Sequence, residues 1–219
     1  MDFYEKILKS SKERNSKLVY NLDTEKALKI FDEIQEYFAG IKINRTFTDK
    51  FGFEILKNLR KYDIPIIADF KIADIPDTNR ILAENAKNAG FDAITVHAFI
   101  GADSILAVKE IIDPILIVGM SHEGAKEFIS KNLENFCKLA LNLKIKAVIA
   151  PSTRIEEIKK VREILNDVLI FSPGVGKQGG KYGDAIKAGA NFEMIGRSIY
   201  ESENPKKEIL KILAILKKN

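Results

Sequence analysis

Asp69, Lys71 and Asp74 follow one another closely at the end of the apolar run Ile64-Pro65-Ile66-Ile67-Ala68. That run is too short for a helix, is flanked by turn chemistry, and reads as a buried strand. Alternate residues of a strand share a face, so Asp69 and Lys71 are expected to project together while Phe70 points away. A carboxylate and an ammonium at such a place cost desolvation energy unless they are paired. Pro76 pushes Ile75 toward extended geometry and suits the first turn of a following helix. Three charged groups are thus set at a strand-to-helix corner, where they could move protons or stabilise a developing charge.

Further candidates recur at the ends of other apolar runs. Lys42 interrupts Ile41-Lys42-Ile43, which a surface lysine with a snorkelling stem would also explain. Asp23 precedes Thr24 and could simply begin a helix. Ser121 and His122 follow the run 115–118, and Pro173 leads into the glycine-rich stretch Gly174-Val175-Gly176-Lys177-Gln178-Gly179-Gly180. Gly196-Arg197-Ser198 comes one strand later. Glycines let backbone approach a ligand closely, helix N-termini offer free N–H groups, and arginine adds a bidentate contact; together they read as a phosphate site. His97 and His122 could suggest a metal with Asp69, but no other histidine or thiolate is placed to complete a ligand set, so none is expected.

The elements that must position these groups alternate regularly. Strand candidates fall at 18–22, 40–43, 64–70, 93–97, 115–118, 147–150, 169–172 and 192–195, with amphipathic stretches such as 24–38, 51–62, 79–89, 132–143 and 154–165 between them. Such alternation predicts parallel strands with crossover helices. Eight units fit a single-domain (β/α)8 TIM barrel over residues 1–219, preceded by a short extra N-terminal helix at 3–12. A doubly wound sheet is the alternative, because only the count of eight supports closure. Glu193 fits poorly: it interrupts the eighth run, and a basic partner is its expected compensation.

Composition narrows the classes. The chain has 219 residues, 46% of them hydrophobic, and a net charge of +4. No basic stripe with interleaved aromatics argues for nucleic acid, and no run approaches a membrane span. The single cysteine, Cys137, permits no disulfide and reads as a small core residue. With no apolar leader after Met1-Asp2-Phe3-Tyr4-Glu5-Lys6, the expectation is a soluble cytoplasmic protein.

Taken together, these residues resemble the orotidine 5′-monophosphate decarboxylase family. Asp69-Phe70-Lys71-Ile72-Ala73-Asp74-Ile75-Pro76-Asp77-Thr78 matches its Asp-x-Lys-x-x-Asp-Ile-Pro-x-Thr signature, and Asp23, Lys42, Ser121, Ser172-Pro173-Gly174, Gln178-Gly179-Gly180 and Gly196-Arg197-Ser198 follow in the family's order. Asn44 and Ala98 stand where glycine would be typical. The resemblance implies a homodimeric barrel that converts orotidine 5′-monophosphate to UMP and carbon dioxide without metal or organic cofactor. It further implies an alternating network of Lys42, Asp69, Lys71 and Asp74, with Asp74 and Thr78 reaching into the partner subunit's site. Lys71 would protonate C6 of the pyrimidine. Asp23 and Lys42 would hold the ribose, Ser121 and Gln178 the base, and Gln178 and Arg197 the phosphate, with Pro173 and Gly196 completing the binding set. A metal-dependent sugar-phosphate decarboxylase, aldolase or epimerase on the same barrel can also carry Asp-x-Lys-x-x-Asp. A phosphate-ligand binding protein without catalysis is the other rival.

Overall fold

Alternation within each strand sorts the apolar side chains into two layers. The computed structural model describes residues 1–218. Eight strands are present among them: β1 (Leu18–Leu22), β2 (Gly40–Asn44), β3 (Ile66–Ile72), β4 (Ala93–His97), β5 (Asp113–Ile117), β6 (Ala147–Ile149), β7 (Leu169–Pro173) and β8 (Phe192–Ile195). All pair in parallel in sequence order, and β8 returns to β1 through Leu18↔Glu193, Val19↔Met194 and Tyr20↔Ile195. The sheet is therefore a closed barrel, and the open doubly wound alternative is excluded. Val19, Ile67, Ile115, Ile149, Phe171 and Met194 fill the interior, while Leu18, Tyr20, Ile41, Ile66, Ile94 and Ile170 face the helices.

The helices are α1 (Phe3–Glu13), α2 (Glu25–Lys29), α3 (Phe31–Ile34), α4 (Arg45–Phe51), α5 (Ile55–Leu59), α6 (Pro76–Ala89), α7 (Ala102–Lys109), α8 (Leu133–Asn142), α9 (Ile155–Ile164), α10 (Asp184–Lys187), α11 (Arg197–Tyr200) and α12 (Pro205–Leu216). None is long and apolar enough to cross a membrane. The expected extra helix is α1. A capping box between Asp2 and Glu5 starts it, and its apolar face plugs the N-terminal mouth of the barrel. There Phe3, Tyr4 and Ile7 join the interior cluster, and the Tyr4 hydroxyl donates to Pro114 O at 3.0 Å.

Two crossover segments depart from expectation. The stretch 24–38 is not one helix but α2 and α3, redirected at Ile30. The break lets Phe31 and Phe38 both pack on Tyr20, at centroid distances of 5.4 and 4.8 Å. The stretch 51–62 is likewise not one helix: Phe51 ends α4, and α5 with a 3-10 turn at Arg60–Tyr62 occupies the rest. Asn44 caps α4 by accepting from Phe47 N at 2.9 Å, and Gly52 ends it at φ +72°. Asn44 thus gives the second strand a capped exit that glycine could not.

Strand β3 runs to Ile72 rather than Phe70, and it is not regular. Its pairing with β4 slips between Ala68 and Ile72, and Lys71 adopts φ +48°. A left-handed lysine costs about 1 kcal/mol or more, so its surroundings must hold it. Part of that hold is a hydrogen bond from Lys71 N to the buried Thr95 Oγ1 at 2.9 Å.

Among the described residues Glu193 finds no basic partner, contrary to expectation. It lies wholly buried on the outer face of β8, where its Oε1 accepts from Gly183 N at 2.8 Å just ahead of α10. Its Oε2 has no partner, and neither has the Oγ of Ser172, its cross-strand neighbour. Burial raises its pKa to about 7, opposed by amides of Gly183, Ala185 and Ile186 and aided by the Asp184 charge. Because the folded-state value exceeds the ordinary carboxyl value of 4.5, the folded chain binds this proton more tightly than the unfolded one. The associated stability is complete below the ordinary value and is lost as pH rises through about 7. Glu193→Gln should therefore be more stable than the parent above neutrality, by up to about 3 kcal/mol. Thermal unfolding between about pH 5 and about pH 8 checks this, the two curves converging at the acid end. Curves that stay parallel would remove Glu193 as the titrating group.

Candidate active site

The C-terminal ends of the barrel strands carry a cluster of charge. Lys42 on β2 and Lys71 on β3 both donate to one oxygen of Asp69, at 2.5 and 2.7 Å. The second Asp69 oxygen accepts from Thr95 Oγ1 at 3.1 Å. The carboxylate is almost sealed from solvent, with its side chain 4% exposed, whereas Lys71 is 42% exposed and faces the open cavity. Burial alone would favour protonated Asp69, but the Lys42 and Lys71 charges and their hydrogen bonds override it and hold the group well below the usual carboxylate range. Asp69 therefore stays ionised, keeps two ammonium groups at a fixed separation, and leaves a surplus positive charge at the cavity wall.

The positive φ of Lys71 explains how one strand brings both groups to the same oxygen. In a regular strand the side chains of Asp69 and Lys71 would run side by side. The bulge turns the Lys71 backbone onto Thr95 and leads its side chain back to Asp69. Such irregularities re-aim side chains next to functional sites.

These groups line a cavity of about 260 Å³. Asp23, Lys42, Asp69, Lys71, Ser121, Pro173 and Gln178 all reach it, over an apolar floor of Ile117, Ile149 and Met194. Ser121 Oγ donates to Gln178 Oε1 at 3.1 Å, so the segments after β5 and β7 meet across the mouth. A second, polar recess adjoins it through Asn21, Asp23, Gln178 and Met194, and adds Gly174, Lys177, Gly196, Arg197 and Ser198. Among the described residues Arg197 makes no ion pair, leaving its guanidinium for a ligand. Gly196 is required there by space: a Cβ would sit 2.8 Å from Asn21 Cβ and 3.0 Å from Asn21 O.

The glycine-rich segment is folded on itself. Gly176 N donates to Gly180 O at 2.7 Å and Gly180 N to Gly174 O at 3.0 Å. Gly174 and Gly176 have φ of +99° and +73°, and a Cβ on Gly176 would collide with the Ser198 and Tyr182 hydroxyls. A compact anion cradle results, with backbone from one strand end and arginine from the next.

Asp74 and Thr78 lie outside this cavity. Asp74 is exposed, its Oδ1 accepting from Ile75 N at 2.8 Å, and Thr78 lies on the first turn of α6. His97 and His122 line a neighbouring apolar cleft with Phe99, Met120 and Phe128 rather than meeting Asp69. Burial, and then the Lys71 charge, push His97 down to about 4, so it is a neutral group at ordinary pH. Cys137 is buried in α8, where desolvation pushes its thiol up to about 12.

Sequence reasoning missed Thr95 and Asn21. Thr95 looked like an ordinary β-branched strand residue. Asn21 had a readable signal, since it shares the inward face with Asp23 two positions on, and its buried Oδ1 lacks a partner.

The chain is similar to proteins of one family along nearly all its length. The orotidine 5′-phosphate decarboxylase / HUMPS family model matches residues 16–212. The chain is 44% identical over 197 residues to the orotidine 5′-phosphate decarboxylase of Pyrococcus furiosus, covering 89% of this chain and 93% of that one. It is 41% identical over 209 residues to that of Methanosarcina mazei, covering 91% and 94%. The crystal structure of the Pyrococcus horikoshii decarboxylase superposes with a TM-score of 0.85 at 40% identity, over 91% of this chain and 99% of that one. The Methanocaldococcus jannaschii enzyme, complexed with the inhibitor BMP, gives a TM-score of 0.86 at 37% identity over 92% and 98%. With that span of agreement and the shared barrel, the chain belongs to the orotidine 5′-phosphate decarboxylase family.

Proposed function

We propose that this protein decarboxylates orotidine 5′-monophosphate to UMP and carbon dioxide, the closing step of pyrimidine nucleotide synthesis. The observation that carries this reading is the buried Asp69 carboxylate bridging two ammonium groups at the wall of a cavity that continues into an arginine-bearing anion recess. In the reaction the bond from C6 to the carboxylate breaks heterolytically. Carbon dioxide departs, and the electron pair stays in an in-plane orbital that the pyrimidine ring cannot delocalise. A fixed positive charge at C6 stabilises that pair, and Lys71 Nζ then delivers a proton to C6 and regains one from water. No organic cofactor or metal takes part. Asp23 and Lys42 hold the ribose hydroxyls, Ser121 and Gln178 the base beside Pro173, and Gln178, Arg197 and the Gly196 backbone the phosphate.

The protein would act as a homodimer in which Asp74 and Thr78 cross to the neighbouring site. Their orientation away from their own cavity supports this, as do the large apolar side chains left in the open beside them and in the neighbouring apolar cleft: Ile75 is 64% exposed, Phe99 54% and Phe128 72%. A crossing Asp74 would supply the negative charge that completes the alternation Lys42, Asp69, Lys71, Asp74. Phosphate binding far from C6 would favour an ordered segment 176–182 over the site, excluding water.

Three outcomes are expected. Lys71→Ala should fold yet lose about 10³-fold or more of kcat, followed by the fall in orotidylate absorbance, with the parent keeping full turnover in EDTA. Parent activity abolished by chelation would instead favour the metal-dependent sugar-phosphate reading. Arg197→Ala should lower kcat/KM by about 100-fold, with partial recovery on adding phosphite or a guanidinium salt; unaltered turnover would detach Arg197 from the phosphate. Finally, Lys71→Ala and Asp74→Asn chains, each inactive alone, should on mixing and reassociation regain about a quarter of parent activity, since half the dimers carry one intact site. A mixture as dead as its components would confine Asp74 to its own subunit.

A further inference from the structure

Glu193 is a buried ionisable group beside the site that the proposed reaction leaves without a role. It belongs to the outer face of β8, which is otherwise committed to apolar packing. What it touches is specific. Its Oε1 takes the amide hydrogen of Gly183, the residue at φ +84° where the phosphate segment ends and α10 begins.

The two ends of that segment are held very differently. Upstream, Gly174 continues directly from β7, and Pro173 O accepts from both Ser152 N at 2.8 Å and Ser152 Oγ at 3.0 Å. Downstream the chain enters α10, a single turn that cannot persist by its own hydrogen bonds. Its N-cap is a glycine with no side chain to cap it. Besides the turn's own bond from Lys187 N to Gly183 O at 3.0 Å, the backbone contact back to the segment is a long one, Asp184 N to Lys181 O at 3.4 Å. Burial of Ala185 and Ile186 holds the turn against the barrel, and the Glu193 carboxyl fixes the hinge itself.

The same strand carries the other half of the recess. Met194 floors the cavity, and Gly196-Arg197 follows it into the anion recess. Tyr182, immediately before the hinge, packs against Gly176, whose added Cβ would lie 2.7 Å from the Tyr182 hydroxyl. A displaced Gly183 therefore moves Tyr182, and with it the cradle facing Arg197.

We propose that Glu193 is a positioning residue for phosphate binding, fixing the downstream hinge of the phosphate segment from behind the sheet in register with Arg197. This rests on reading the recess as the site of the nucleotide's phosphate. Glu193 touches no substrate; it acts through Gly183 and Tyr182.

The test compares Glu193→Leu, which keeps bulk but no acceptor, with Glu193→Gln, which keeps an acceptor. For Glu193→Leu, KM for orotidine 5′-monophosphate should rise about tenfold, while kcat/KM for phosphate-free orotidine stays within about twofold of the parent. UMP should bind more weakly by a similar factor, and trypsin should cut faster after Lys177 and Lys181. Glu193→Gln should recover most of each effect. A Glu193→Leu protein equal to the parent in KM and in cleavage would overturn the proposal, as would equal losses on both substrates. Should that variant not fold, hydrogen exchange in the parent decides: the Gly183 amide should be protected relative to residues 177–181, and exchange as fast as theirs would overturn it. If the parent itself fails to turn over orotidylate, the functional reading falls while UMP binding, cleavage and exchange still report on the anchor.

Discussion

One carboxylate organises the top of this barrel. Asp69 is nearly removed from water, and burial of an unpaired charge there would be prohibitive. Two ammonium groups and a threonine hydroxyl satisfy it, and they come from three different strands. Because β2, β3 and β4 are locked by parallel pairing, the positions of Lys42, Asp69 and Thr95 are fixed by the sheet rather than by loops. Lys71 is fixed by something less usual, a left-handed backbone whose N–H binds the same threonine. Removing one partner would leave the others over-charged or under-bonded, so these side chains behave as a unit.

That unit also shows how far sequence reaches. The eight-fold alternation, the plugging helix, and the gathering of Asp23, Lys42, Asp69, Lys71, Ser121, Pro173, Gln178 and Arg197 around one cavity system were legible, because each depends on a period or on a residue type at a strand end. The bulge was not. Period-two reasoning assumes regular pleating, and the slip in β3 arises from pairing with β4, a non-local partner. Thr95 was invisible for the same reason, since its role exists only opposite the bulge. Tyr20 gathering Phe31 and Phe38 broke a helix that local propensity reads as continuous. Glu193 was conspicuous in the sequence, but its partner is a backbone amide, which no side-chain inventory reveals.

The anion recess follows a different logic from the charged cluster. Asp69 and its ammonium partners are held by neighbouring strands and bury their charge. Among the described residues Arg197 has no counter-ion, and it faces backbone that folds only because Gly174, Gly176 and Gly180 permit close approach. An exposed guanidinium beside a backbone cradle meets an arriving anion with charge-assisted hydrogen bonds, so ligand binding there has free energy to contribute elsewhere. The contact between Ser121 and Gln178 provides a route, because Gln178 lines both recess and cavity.

The electrostatics of the cluster also decide which group can be the acid in the proposed reaction. A proton donor must be protonated at working pH, and Asp69 is the wrong group, because its ammonium neighbours keep it ionised well below the ordinary carboxylate range. His97 is equally unsuited, being neutral at ordinary pH and opening on the apolar cleft. Lys71 combines a mobile proton, a carboxylate that fixes its direction and much the greater exposure to the cavity of the two ammonium groups, 42% against 12% for Lys42. When it gives up that proton, Asp69 remains paired to Lys42 and is never left as an isolated buried charge. The second ammonium therefore lets the first one be spent and restored without reorganising the site, which is what preorganisation demands of a group that must act at every turnover.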